Sequence, residues 1–126
     1  MIQNNPTRKS VLVVEDDMDI QSSIVQILVE EGYEAHGVSN GQEALDLLNA
    51  STQLPSLIIL DIMMPIMNGW EFRCLQKRDT LLASIPVIVC SSAGDIQEEA
   101  RLIGARDYLQ KPVVPEVLLE MVGQCC

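Results

Sequence analysis

Residues 57–60, Leu-Ile-Ile-Leu, form an unbroken apolar run closed by a lone carboxylate, Asp61. A strand with one face in water alternates apolar and polar residues, so an unbroken run needs cover on both faces, as in a parallel sheet flanked by helices. Asp61 then stands at the carboxyl end of a central strand, where open α/β sheets hold their ligands. Met63-Met64-Pro65 and Asn68-Gly69 follow, and they read as a loop over that crevice.

The same pattern recurs along the chain. Residues 11–14, Val-Leu-Val-Val, run into Glu15, Asp16 and Asp17; residues 87–90, Val-Ile-Val-Cys, run into Ser91 and Ser92. A weaker strand is expected at 33–38 and a short one around Tyr108-Leu109, closed by Lys111-Pro112. Between the strands, apolar residues return at helical spacing. Ile20, Ile24, Ile27 and Leu28 make the first helix, with Gly32 as a left-handed stop. Asn40 and Glu43 resemble a capping box ahead of Ala44, Leu45 and Leu48, and residues 49–55 read as a polar linker. Trp70, Phe72 and Leu75 lie in a helix to about Arg78, and residues 95–103 make a helix stopped by Gly104. Pro115 opens the last helix, which contains Val117, Leu118, Met121 and Val122. Five strands alternating with five helices imply an α/β fold, a doubly wound parallel sheet with right-handed crossovers.

In such a sheet all carboxyl ends share one edge. Glu15-Asp16-Asp17, Asp61, Ser91-Ser92 and Lys111 should therefore converge although they are far apart in sequence. Carboxylates gathered in this way repel unless a cation neutralises them. A hard divalent ion with oxygen ligands answers that need, and Mg²⁺, which takes one or two carboxylates plus waters and a phosphate oxygen, suits the set. Lys111 adds a point charge and Ser91 a hydrogen-bond donor, which together complete a site for a phosphoryl group. The chain has no P-loop and no glycine-rich dinucleotide turn, so Asp61 itself is the candidate nucleophile and phosphate carrier.

Composition removes other classes. A formal net charge of −10 is opposed to a phosphate-neutralising nucleic-acid surface and favours cations and basic partners. No apolar stretch is long enough for a membrane span and no signal-like segment follows Arg8 and Lys9, so a cytoplasmic location is expected. With one histidine, His36, and no C-x-x-C, a structural zinc site is not expected; His36 reads as a surface or structural residue. Cys90 reads as a small core residue and Cys74 lies in a helical pattern. The vicinal pair Cys125 and Cys126 reads either as free thiols on a frayed end or as a redox or intermolecular disulfide pair.

Four segments, taken together, resemble the receiver domain of two-component response regulators: Val-Leu-Val-Val-Glu-Asp-Asp, Leu-Ile-Ile-Leu-Asp-Ile-Met-Met-Pro-Ile-Met-Asn-Gly, Pro-Val-Ile-Val-Cys-Ser-Ser and Gly-Ala-Arg-Asp-Tyr-Leu-Gln-Lys-Pro. The resemblance implies a flavodoxin-like sheet of order 2-1-3-4-5 over residues 9–123, after a flexible segment 1–8 and before a tail 124–126. It implies that Asp61 accepts phosphate from a sensor histidine kinase or a histidine phosphotransfer protein. Asp16, Asp61 and the backbone carbonyl of Met63 would ligate Mg²⁺, and Glu15 would act largely through water. Ser91 matches the switch hydroxyl, Lys111 the phosphate-binding lysine, Tyr108 the switch aromatic, and Lys111-Pro112 the usual cis peptide. At 126 residues there is no room for a separate output domain, so a stand-alone receiver, monomeric or weakly dimeric, is expected to signal by protein binding. The resemblance implies a phosphoacceptor rather than an enzyme acting on a separate substrate.

Some positions depart from the family pattern. Glu15 replaces the commoner Asp, and the stretch from Ser91 to Gly104 is about two residues short, so the fourth helix or its entry should differ. Met63 and Ala93 stand where the family tunes hydrolysis of the acyl phosphate, and neither side chain can hold an attacking water. Three rival readings use the same residues. An aspartyl-nucleophile phosphatase of the haloacid dehalogenase type needs a second acid where Met63 stands. A phosphorylation-independent interaction module has no need of the acid, serine and lysine set. A flavin-binding protein needs a hydroxyl- and glycine-rich loop after the first strand, and that loop is missing.

Overall fold

The structure is a computed structural model and describes residues 9–126; the expected flexible segment 1–8 lies outside the described residues. Ten elements alternate as expected: β1 (Ser10–Val14), α1 (Met18–Glu30), β2 (Glu34–Val38), α2 (Gly41–Ala50), β3 (Leu57–Asp61), α3 (Gly69–Arg78), β4 (Val87–Ser91), α4 (Ile96–Ile103), β5 (Asp107–Gln110) and α5 (Pro115–Cys125). The strands form one sheet in the order β2-β1-β3-β4-β5. Every neighbouring pair is parallel.

Two apolar layers explain the unbroken runs. Leu12, Val14, Ile58, Leu60 and Val89 pack on one face under Ala44, Leu48, Phe72 and Ile103, from α2, α3 and α4. Val11, Val13, Leu57, Ile59 and Ile88 pack on the other under Ile24, Leu28, Leu118 and Val122, from α1 and α5. β3 and β4 are buried along their whole length, whereas the edge strand β2 has no buried residue and holds His36 exposed.

Register sets the edge where the site forms. Val14 pairs with Leu60, Asp61 with Cys90 and Ser91 with Gln110, so Glu15, Asp61, Ser91 and Lys111 fall at successive strand ends. The backbone N–H of Lys111 donates to the carbonyl of Ser91 at 2.9 Å, and the Lys111-Pro112 bond is cis, as the resemblance implied. α4 is the shortest helix at 8 residues and its N-cap, Asp95, makes no side-chain cap hydrogen bond, in keeping with the shortened Ser91 to Gly104 stretch. Gly104 has a φ of 76°, the left-handed stop expected there.

Several local expectations are corrected. Asn68 opens α3 with a full capping box, its side chain taking the Glu71 N–H while Glu71 takes the Asn68 N–H, so this is a helix start and not only loop. At α2 the box is half-formed: Asn40 accepts from the Glu43 N–H, but Glu43 reaches back to the Ser39 N–H instead. Asn49 and Ala50 belong to α2 and not to the linker. At the other end, Gln124 and Cys125 belong to α5, so residues 124–126 are not a detached tail. Cys125 and Cys126 are half buried against the α1–α5 layer and not on a frayed end.

Candidate functional site

β1, β3, β4 and β5 deliver their end residues to one cleft of about 510 Å³, lined by Glu15, Asp16, Asp61, Met63, Ser91 and Lys111 among others. Carboxylate oxygens of Glu15, Asp16 and Asp61 lie within 4.8 Å of one another. Glu15 and Asp61 are only 2% and 5% exposed, while Asp16 is open to solvent. Asp17, the third acid of the run, also lines the cleft but stands outside the close group: its carboxylate is the N-cap of α1 and accepts from the N–H groups of Asp19 and Ile20 at 3.0 and 3.1 Å.

Lys111 supplies the nearest positive charge. Its ammonium lies 2.8 Å from Glu15 Oε1 and 3.6 Å from Asp61 Oδ2. One cation is too few for three carboxylates. Burial, then the Glu15 charge, push the Asp61 carboxyl up to about 7, and Lys111 only partly offsets them. Burial opposes the Lys111 ammonium, but the hydrogen bond it donates to Glu15 and the charge of Asp61 outweigh it and hold its pKa above the ordinary lysine value. An oxygen-rich cluster that raises the pKa of its own carboxylate fits a hard divalent cation, whose charge would relieve the repulsion.

The remaining predicted residues take distinct places. Ser91 is buried beside the acids, and its Oγ accepts the Ala93 N–H at 3.1 Å. The Met63 N–H points toward Asp61 Oδ1 at 3.4 Å, while its side chain is 76% exposed at the cleft rim. Tyr108 is half buried on β5 against the layer that holds α4, outside the cleft lining. His36 is also outside it. Burial pushes the Cys90 thiol up to about 12, as suits an inert core residue. Burial also raises the thiols of Cys125 and Cys126, and all four cysteines are free.

Three further supporting features were not read from the sequence. The chain turns into α3 close under the site: a side chain at Gly69 would come within 2.7 Å of the Asp61 carbonyl, so only glycine permits that approach. Buried Arg73 donates to the carbonyls of Ile103 and Gly104 and to Gln76, tying α3 to the end of α4 with no carboxylate partner among the described residues. Gln21, buried in α1, bonds the end of β1. Glutamine and arginine within a helical pattern normally read as solvent-facing, and only the spatial partners reveal otherwise.

Residues 11–123 match the family model described as the response regulator receiver domain. Response regulator MprA of Mycolicibacterium vanbaalenii is 36% identical over 111 residues, covering 86% of this chain and 46% of that protein. Phosphate regulon transcriptional regulatory protein PhoB of Klebsiella pneumoniae is 31% identical over 116 residues, covering 90% of this chain and 50% of that protein. The chain thus spans about half the length of the curated relatives it matches. The solved structure of chemotaxis response regulator CheY4 of Vibrio cholerae superposes with a TM-score of 0.85 at 28% identity, covering 95% of this chain and all of that one.

Proposed function

The chain belongs to the response regulator receiver domains of two-component systems, and from that premise we propose that Asp61 is the phosphoacceptor of a Mg²⁺-dependent relay. The observation that carries this reading is the meeting of Asp61 with Glu15, Asp16 and Lys111 at one sheet edge. A carboxylate oxygen of Asp61 attacks the phosphorus of a phosphohistidine on a sensor kinase or phosphotransfer protein. The new O–P bond forms as the P–N bond breaks, and the leaving imidazole nitrogen takes a proton from solvent.

Asp61 must be ionised to attack, and its raised pKa makes the neighbouring cations part of that step. The carboxylates of Glu15, Asp16 and Asp61 and the carbonyl of Met63 would hold Mg²⁺, which supplies positive charge against the acids and the incoming phosphoryl oxygens. Lys111 supplies the second positive charge, moving from Glu15 toward the phosphoryl group. Ser91 then exchanges its Ala93 bond for one to a phosphoryl oxygen. Phosphorylation adds about −1.5 to −2 charge in a buried pocket, which biases Ser91, Tyr108 and the face of α4, β5 and α5 between two arrangements. Output is then the binding of a protein to that face, by a monomer or weak dimer in the cytoplasm. No helix among the described residues is long and apolar enough to cross a membrane.

The test is the intact mass of the protein after incubation with acetyl phosphate and Mg²⁺, beside Asp61→Asn. One phosphoryl adduct that needs Mg²⁺ and vanishes in the variant is expected. A folded protein that takes no adduct would overturn the phosphoacceptor role and leave a receiver fold serving as a constitutive docking module. Continuous release of phosphate from a monoester would instead indicate phosphatase turnover.

A further inference from the structure

Two residues away from the cleft are each unfavourable alone and make sense only together. Gln21 carries a primary amide into the interior of α1, where it is 7% exposed. Gly37 sits inside β2, where glycine weakens a strand, and its φ is not in the left-handed region that would call for glycine.

The amide nitrogen of Gln21 donates to the carbonyl of Glu15 at 2.8 Å and to the carbonyl of Val38 at 2.9 Å. Val38 also accepts the Glu15 N–H at 3.0 Å. Both backbone polar groups of Glu15 are therefore tied to the end of β2, one directly and one through the Gln21 amide. Because the peptide unit is planar, pinning the Glu15 carbonyl also orients the N–Cα bond of Asp16. The two acids of the first strand end thus share one mount. Gly37 leaves it room: a Cβ there would lie 2.3 Å from Gln21 Oε1 and 2.6 Å from Cδ, a clash that would expel the amide.

We propose that Gln21, seated in the space left by Gly37, is a positioning residue that presents the Glu15 and Asp16 carboxylates to a divalent cation. This inference rests on the reading of the acidic cluster as a Mg²⁺ site. Gln21 touches neither the cation nor the phosphoryl group. It acts by holding the backbone from which the ligands project, and outer partners of this kind typically tune metal affinity about 10- to 100-fold.

The experiment is a titration of the metal-free protein with MgCl₂ alone, followed by amide NMR shifts at the strand ends, with thermal unfolding measured in parallel. The proteins are the parent, Gln21→Met, Gly37→Ala, Gln21→Ala, and the double variant Gln21→Ala with Gly37→Ala. Gln21→Met keeps the volume but cannot donate. It and Gly37→Ala should each weaken Mg²⁺ binding by about tenfold while remaining folded. The double variant should bind no worse than Gln21→Ala, because both changes remove one interaction and their effects do not add. Variants that lose thermal stability yet bind Mg²⁺ like the parent would overturn the inference and leave Gln21 a purely structural tie. Additive losses would overturn the coupling to Gly37. A parent that binds no Mg²⁺ would overturn the metal-site reading itself, and this proposal with it.

Discussion

Replacing Asp61 by asparagine should make the metal-free protein more stable, although the residue is central to the site. The Asp61 carboxyl sits at about 7 in the folded protein against an ordinary 3.8, raised first by burial and then by Glu15. At about 1.4 kcal/mol per pH unit, that rise is worth about 4 kcal/mol if fully expressed. The cleft opens to water, which screens the repulsion, so about 2 kcal/mol is the expected gain. The sign follows from proton binding: between 3.8 and about 7 the folded state holds the proton that the unfolded chain has released, so stability falls as pH rises through that window. Asparagine carries no such penalty. Urea unfolding in chelator at about pH 8 should show Asp61→Asn with a midpoint higher by roughly 1 M, and the gain should shrink toward zero at about pH 4. Added Mg²⁺ should stabilise the parent and narrow the difference. A variant no more stable than the parent at the higher pH, or a gain that persists unchanged in acid, would refute the electrostatic argument.

Other perturbations test separate parts of the structure. Arg73→Met strips the carbonyls of Ile103 and Gly104 and the Gln76 side chain of their buried donor; a loss of about 3 kcal/mol in urea unfolding is expected, and a loss below about 1 kcal/mol would mean that the tie between α3 and α4 contributes little. Ile66 holds a φ of 68° at the centre of a turn in which the Met67 N–H donates to the Pro65 carbonyl, and its side chain is 81% exposed. A β-branched residue is strained there, so Ile66→Asn should raise stability by roughly 0.5–1 kcal/mol and the melting temperature by a few degrees. Met63→Asn puts a hydrogen-bonding group at the rim beside Asp61, and one such bond to an attacking water is worth roughly a 2- to 10-fold shorter lifetime of the phosphorylated form. Phosphate release followed by mass spectrometry measures it, and an unchanged or longer lifetime would count against the role assigned to Met63.

The parts of this protein that could be read from the chain alone are those governed by near neighbours. The runs at 11–14, 57–60 and 87–90 demanded a sheet covered on both faces, and the residues that close them, with Lys111, had to share its carboxyl edge. The order 2-1-3-4-5 came from the resemblance, and the sheet bears it out. Helix ends were legible where one residue decides them, as with Gly104 and Pro115.

The tertiary structure decided what depends on distant partners. Asp17 looked like part of an acidic triple, yet its carboxylate caps α1, and the close group at the cleft is Glu15 and Asp16 with Asp61. Gln21, Arg73 and Gln76 are polar letters in helical patterns, and their burial follows from carbonyls supplied elsewhere, in the case of Arg73 by Ile103 and Gly104 some 30 residues on. Periodicity records which side of an element faces the core, because that is set by the few residues around it. Which donor meets which acceptor inside that core is set only when the sheet closes and brings remote segments within hydrogen-bond reach, where a buried polar group must find a partner or cost the fold stability.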